Sequence, residues 1–193
     1  RSCLRTSFWM YRADTWPRRA ASAAALRAAA CSLAGPAAAT ACSITARAVA
    51  ASGLPTLTVG KGSNLLVSDA GFDGIAVTLG PELAAVEVEG TDVRAGGAAS
   101  LPVVARRTAR AGLTGFEWAV GVPGSIGGAV RMNAGGHGSD MAASLVRVRV
   151  LDLSGGEDTE MPADALDLGY RRSAVRADQV VLRADLALAP GDR

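Results

Sequence analysis

Beyond residue 42 the chain has no cysteine, and the three it does have, Cys3, Cys31 and Cys42, keep spacings that match no metal motif. An odd number without a Cys-x-x-Cys pair builds neither a disulfide frame nor a zinc site, so thiol and metal chemistry are not expected. Lysine is nearly missing as well: Lys61 stands alone against nineteen arginines, a ratio that fits a GC-rich genome before it says anything about Lys61. Aromatic residues make up only 4%, so the core has to be built from Ala, Val and Leu. No uncharged apolar run reaches the ~18 residues that a membrane-spanning helix needs. Two phosphate signatures are also lacking. No Gly-x-x-x-x-Gly-Lys-[Ser/Thr] loop occurs, and Leu65 stands where a dinucleotide fingerprint would place its third glycine.

What remains is the composition of an ordinary soluble protein, with 193 residues, 49% apolar and 20% charged, enough for one domain or two small lobes. The net charge of +2 hides an asymmetry. Residues 1–50 carry seven arginines and a single acid, Asp14, whereas residues 51–193 have a net charge of −4. That acidic balance argues against a nucleic-acid partner. Residues 1–42 mix Trp9, Trp16, arginines and alanine runs without a clear strand period or capping box. Three readings of them stay open: a secretory or transit segment, an alanine-rich helix, or a shifted reading frame, which is the favoured one.

From residue 43 the pattern becomes readable. Ser43 is placed to cap a short helix, Ile44 to Ser52, closed by Gly53. A strand is expected from Thr56, and a glycine-rich turn, Gly60-Lys-Gly-Ser-Asn64, leads into a second at Leu65-Leu-Val67. Further strands are expected near Ile75–Leu79, Ala84–Glu89 and Val93. Leu101 to Ala111 puts apolar residues on one face and three arginines on the other, ending at Gly112, which predicts an amphipathic helix. Leu145 to Leu151 alternates apolar and basic residues as a half-buried strand does. Ser154-Gly-Gly156 reads as a hairpin turn, and Val180 to Leu188 as a closing strand. Strands dominate without a regular βαβ alternation, so the expected class is α+β with mixed and antiparallel sheets.

Two segments carry chemistry. In Gly60-Lys-Gly-Ser-Asn64 the glycines allow positive φ and a close backbone approach, so successive amides can face an anion, with Ser63 and Asn64 adding donors. A plain tight connection between strands would look the same. The second segment runs from Gly121 to Gly138 and is far denser in glycine than a hairpin requires. Gly124-Ser-Ile-Gly-Gly128 puts amides and a hydroxyl at the expected start of a short helix, which suits a pyrophosphate. Asn133 both donates and accepts, as a ribose or flavin edge demands. A flexible linker is the competing reading, but the interspersed Val, Ile and Met argue for a segment that packs.

Three motifs, in order, carry a resemblance: Gly60 to Gly74, Gly115-Phe-Glu-Trp to Gly135, and Leu168-Gly-Tyr-Arg-Arg-Ser173. Together they closely resemble the UDP-N-acetylenolpyruvoylglucosamine reductases over about residues 45–190, the second motif being like the family's second type. The resemblance implies a two-lobed FAD-binding domain of the vanillyl-alcohol-oxidase type. It implies that Gly60, Lys61, Gly62, Ser63, Asn64 and Leu65, with Gly121, Pro123, Gly124, Ser125, Gly127, Gly128, Ala129, Asn133, Ala134 and Gly135, hold the FAD pyrophosphate and ribityl region. With no histidine in the first loop, FAD is expected to be non-covalent, and His137 to be a solvent-facing loop residue. Arg171 would be the catalytic cation beside the substrate carboxylate, Tyr170 a substrate-binding residue, and NADPH the hydride donor. Taken alone, Arg171 and Arg172 read as solvated surface charges.

The resemblance further implies a cytoplasmic enzyme of cell-wall precursor synthesis acting on a UDP-sugar, with no nucleic-acid or membrane partner and a monomer favoured. Residues 43–80 would be what remains of the first lobe and 81–193 the second. Nothing in residues 1–42 aligns with the family's opening strand, and the chain stops where the family's substrate domain begins. The expectation is therefore weak FAD binding without turnover. A related flavoprotein oxidase acting on a sugar or lactone, or an inactive product, are the alternatives.

Overall fold

The computed structural model describes the backbone of a strand at residues 9–12, together with residues 45–69 and 71–191. The first strand, β1 (Trp9–Arg12), falls within the segment that shows no strand period in the sequence. It is recruited from outside, by antiparallel pairing that matches Trp9 with Thr78 and Arg12 with Ile75. The alanine-run and frame readings of the neighbouring residues lie outside the described residues. Helix α1 (45–51) follows and turns Ala46 and Val49, three positions apart, into the core.

Strands β2 (Thr56–Thr58) and β3 (Ile75–Thr78) run parallel, and β3 is the centre of a three-stranded mixed sheet ordered β1-β3-β2. The expected strand at Leu65–Val67 does not form. Those residues have no regular structure, and Leu66 is 97% exposed. An apolar run reads as a strand only if some other backbone is there to pair with it. A short 3₁₀ turn, Pro81–Ala84, then leads to the hairpin β4 (Val86–Glu89) and β5 (Asp92–Gly96).

Helix α2 (Leu101–Arg110) forms as its periodicity requires: Leu101, Val104, Ala105 and Thr108 are buried, and Gly112, at φ +75°, takes the chain out of it. After β6 (Leu113–Thr114) comes α3 (Ile126–Met132), where the glycine-dense segment was expected to start a helix. The two-residue strands β7 (Gly135–Gly136) and β8 (Ser139–Asp140) make a minimal hairpin. Its turn, His137 and Gly138, has φ of +53° and +83°, and His137 is exposed, as expected of a loop residue.

Strands β9 (Leu145–Asp152), β10 (Asp158–Pro162) and β11 (Gln179–Ala187) complete an antiparallel five-stranded sheet, ordered β10-β9-β11-β5-β4. A last short strand, β12 (Ala189–Pro190), pairs with β6. One face of the large sheet packs on α2 and α3 through Val93, Val148, Val150, Ala184 and Leu186. A smaller core joins α1 and β3 to Leu151, Leu153, Val180 and Leu182. Strand β11 serves both because of a bulge: Val181 pairs with Val150 and Arg183 with Arg149, leaving Leu182 as the extra residue. Beyond the bulge Arg183 and Asp185 face outward, where they meet the side chains of Arg147 and Arg94 in a lattice of ion pairs. The fold is α+β, with a three-stranded mixed sheet, a five-stranded antiparallel sheet and two two-stranded antiparallel pairs among the described residues.

Candidate functional site

Sixty residues separate Ser63 from Pro123, yet the Ser63 hydroxyl donates to the Pro123 carbonyl at 3.0 Å. The approach is close all along this seam. A Cβ added at Gly60 would lie 2.6 Å from the Ser125 Oγ, and one at Gly124 would lie 3.4 Å from the Ser63 Oγ. The two glycine-rich loops therefore face one another across a crevice, and glycine is what lets their backbones come this near.

The first amides of α3 are not free, contrary to the expectation from the sequence. At the start of α3, the Ile126 amide donates to Ala99 O (2.8 Å), Gly127 to Gly97 O (2.9 Å) and Gly128 to its own cap, Ser125 Oγ (3.4 Å). The helix start is spent on anchoring α3 to the strand-to-helix connection at Gly97–Ala99, and offers no spare amide to an anion. By contrast, the amides of Lys61, Gly62, Ser63 and Asn64, and those of Gly124 and Ser125, donate to no protein acceptor among the described residues. Gly62 sits at φ +73° and Gly124 at +148°, backbone conformations that L side chains rarely adopt and glycine does.

Two cavities meet here. One, of about 260 Å³, is walled by Thr56–Lys61, Leu79, Gly97, Ala98, Gly127, Val175–Ala177 and Gln179–Val181. The other, of about 450 Å³, is walled by Gly62–Leu65, Leu101, Val122–Gly124, Ala129, Met132, Ala134, Gly135 and Arg171. They share Thr58–Lys61, Ser125, Gly128 and Arg131. Among the described residues the walls hold four cations, Lys61, Arg131, Arg171 and Arg176, and no Asp or Glu. An otherwise acidic stretch of chain thus presents its crevice as a field for an anion.

Arg176 differs from the other three in being paired already, with both Asp178 and Asp152. Its hydrogen bonds to Asp178 and then Asp152 raise its pKa. For Asp152, partial burial works against the charge, but bonds from the Ser154 hydroxyl and amide, the Gly155 amide and Arg176 prevail and hold its pKa at about 2.

Arg171 occupies a two-residue turn closed by reciprocal bonds between Gly169 and Arg172, 3.1 Å each way, with its own φ at +55°. Its guanidinium lies 6.0 Å from the ring centroid of Tyr170. Tyr170 itself is 92% exposed and lines neither cavity. Gly121, expected among the cofactor residues, also lies outside both, at the end of the 3₁₀ turn Glu117–Gly121.

Asn133 departs further from expectation. It caps α3 at φ +41°, only 8% exposed. Its Nδ2 donates to Asp140 Oδ2 (3.0 Å) and Gly169 O (3.3 Å), while its Oδ1 accepts from the Ala142 amide (3.0 Å). The side chain that suited a ribose is engaged within the protein, where it ties α3 to the arginine turn. Ser173 makes a second tie, donating to Arg131 O at 2.8 Å.

Sequence reasoning overlooked Arg131, the Gly97 corner and the Val175–Val181 wall. A signal did exist for the corner. Gly96-Gly97-Ala98-Ala99 is an unbroken run of small residues, and a Cβ at Gly97 would lie 1.9 Å from Val181 O. Arg131 was hidden because a basic residue in a helix's last turn ordinarily complements the dipole.

The model of the FAD binding domain family matches residues 33–160. Among curated proteins, the chain is similar to UDP-N-acetylenolpyruvoylglucosamine reductases from Synechococcus sp. (strain RCC307), 43% identical over 72% of this chain and 46% of that protein, and from Gloeobacter violaceus, 47% identical over the same shares. Among solved structures, the UDP-N-acetylenolpyruvylglucosamine reductase of Thermus caldophilus superposes with a TM-score of 0.62 at 34% identity, covering 72% of this chain and 50% of that one. The 6-hydroxy-D-nicotine oxidase of Arthrobacter nicotinovorans, at 17% identity and a TM-score of 0.57, covers 79% and 35% and shares the fold. The chain spans about half the length of the curated relatives it matches.

Proposed function

The chain belongs to the FAD binding domain family, and from that premise we propose that it holds FAD non-covalently as the flavin-binding part of an NADPH-dependent reductase that converts an enolpyruvyl ether of UDP-N-acetylglucosamine to UDP-N-acetylmuramate. The observation that carries this reading is the pair of confluent cavities with cations and unpaired amides at their junction. FAD has the matching form, two ring systems joined through a diphosphate. The residues present fit that group. Lys61 to Asn64 and Gly124–Ser125 supply donors, Lys61 supplies charge, and Gly60 lets the backbone close on Ser125. His137, the chain's single histidine, is not among the described residues that line the cavities.

When bound, the flavin supplies hydride transfer between the nicotinamide donor and the substrate. The chain's own contribution is to hold and to polarise. In this reading Arg171, on the wall of the larger cavity, grips the substrate carboxylate and stabilises the charge that gathers there as the enol carbon is reduced. Tyr170 extends beside it on the substrate side. Residues 43–80 belong to the first flavin-holding lobe and 81–193 to the second. We place the protein in the cytoplasm as a monomer acting on a UDP-sugar. Among the described residues no helix is long and apolar enough to cross a membrane.

The test is a titration of the purified chain with FAD, followed by quenching of flavin fluorescence and by the visible absorption bands. Saturable quenching released by acid or heat, leaving the protein colourless, is the expected result. A chain that takes up no FAD overturns the reading, and flavin that stays on the denatured protein overturns the non-covalent assignment.

A further inference from the structure

Of the four cations that line the two cavities, Arg176 is compensated by Asp152 and Asp178, and Arg171 reaches only the larger cavity. Lys61 and Arg131 alone among them line both. Lys61 is carried by an exposed loop, but Arg131 is half-buried on α3. Its main chain is pinned in addition, since its carbonyl accepts the Ser173 hydroxyl at 2.8 Å. Among the described residues no ion pair to Arg131 occurs, and no carboxylate lines either cavity. A guanidinium on the wall of a crevice, with no carboxylate beside it among the described residues, is a ready partner for an anionic ligand.

We propose that Arg131 is that ligand's fixed partner: it binds the diphosphate of the dinucleotide whose two arms fill the two cavities. The inference rests on the FAD reading and adds a residue and a role to it. Arg131, on α3, would hold the diphosphate with its charge and planar donors, together with the free amides of Lys61 to Asn64. Lys61 adds a mobile charge at the same junction. UDP carries a diphosphate too, so the assignment to the cofactor must be distinguished from one to a UDP-sugar.

The experiment compares the full chain with its R131M and R131K variants, measuring dissociation constants for FAD, riboflavin and UDP at low and high salt. Riboflavin has the ring system without phosphate. For R131M the expected result is a loss of FAD affinity of about tenfold to hundredfold, with riboflavin unchanged and a shallower salt dependence. R131K, which keeps the charge and loses the fork, should fall between the two. Unaltered FAD affinity and salt slope in R131M overturn the proposal. So does a loss confined to UDP, which would move Arg131 to the substrate. Equal losses for FAD and riboflavin mean that Arg131 only supports the fold, and that also ends it. A wild-type chain that binds neither flavin removes the FAD reading itself, and this inference with it.

Discussion

A methyl group added at Gly97 would lie 1.9 Å from the carbonyl oxygen of Val181, and the Gly97 amide donates to Leu182 O at 2.7 Å in the same contact. The carbonyl of Gly97 in turn receives the Gly127 amide, so this one residue holds the end of β5, the bulge of β11 and the start of α3 together. Gly62 is glycine for another reason. Its φ is +73° but a Cβ there would meet nothing within 4 Å. The two should respond differently to the same substitution. Gly97→Ala must push two strands apart and is expected to cost about 3 kcal/mol or more, as overpacked cores do. Gly62→Ala is expected to cost only the ~1 kcal/mol of a left-handed L-residue. Urea midpoints of the two variants measure this, and equal losses would mean that the Gly97 corner is not tight. Gly97→Ala should also weaken flavin binding more than its stability loss explains, because Gly97 is part of the smaller cavity's wall.

At the scale of the element, Asn133 makes the end of α3 more than a helix terminus. Three hydrogen bonds run from one buried amide to Asp140, Gly169 and Ala142, and they set where β8 and the arginine turn lie relative to the helix. Asn133→Gly removes those bonds but accepts the φ of +41°, whereas Asn133→Ala removes them and adds left-handed strain. The expected order of stability is wild type, then Asn133→Gly, then Asn133→Ala, with about 1 kcal/mol between the variants and a larger first step for the stranded Ala142 amide. Chemical denaturation gives the order; a glycine variant no better than the alanine variant would show that the φ carries no strain. This residue also shows what a sequence can and cannot disclose. Helix α2 and strand β9 were legible because their apolar positions repeat at 3.6 and 2 residues, a signal internal to each segment. The chemistry of Asn133 was legible too, but its partners were not, since they lie seven, nine and thirty-six residues further on. Leu65-Leu-Val67 carries strand composition without a strand beside it, and β1 has a strand beside it but sits in a segment with no clear strand period. In both, pairing across the chain decided what local propensity could not. The glycine loops of the site were readable because each must bend in its own way. Their meeting through Ser63 and Pro123 was foreseen only through the family resemblance.

Across the whole molecule the two cores are joined at the end of β9, where Leu151 and Leu153 enter the smaller core while Val150 enters the larger. Asp152 stands between them. It gathers the Ser154 hydroxyl and amide (2.5 and 2.7 Å), the Gly155 amide (3.1 Å) and Arg176, and Arg176 continues into the cavity wall. Although burial opposes its charge, these bonds hold its pKa at about 2, against 3.8 for an unperturbed aspartate. Above about pH 5 both folded and unfolded chains carry it ionised, and its contribution to stability is present in full. As the pH falls below 3.8 the unfolded chain takes up a proton that the folded one refuses, so stability drains away until the folded carboxyl titrates near 2. Glu117, whose pKa is lowered chiefly by the Thr114 hydroxyl, acts in the same direction. Asp152→Asn should therefore be less stable than wild type at pH 7 and should lose less between pH 4 and pH 2, so that the two curves converge in acid. Urea midpoints taken through that window decide the matter. Curves that stay parallel would mean that Asp152 is not held ionised by its neighbours, and that the junction of the two cores rests on apolar packing alone.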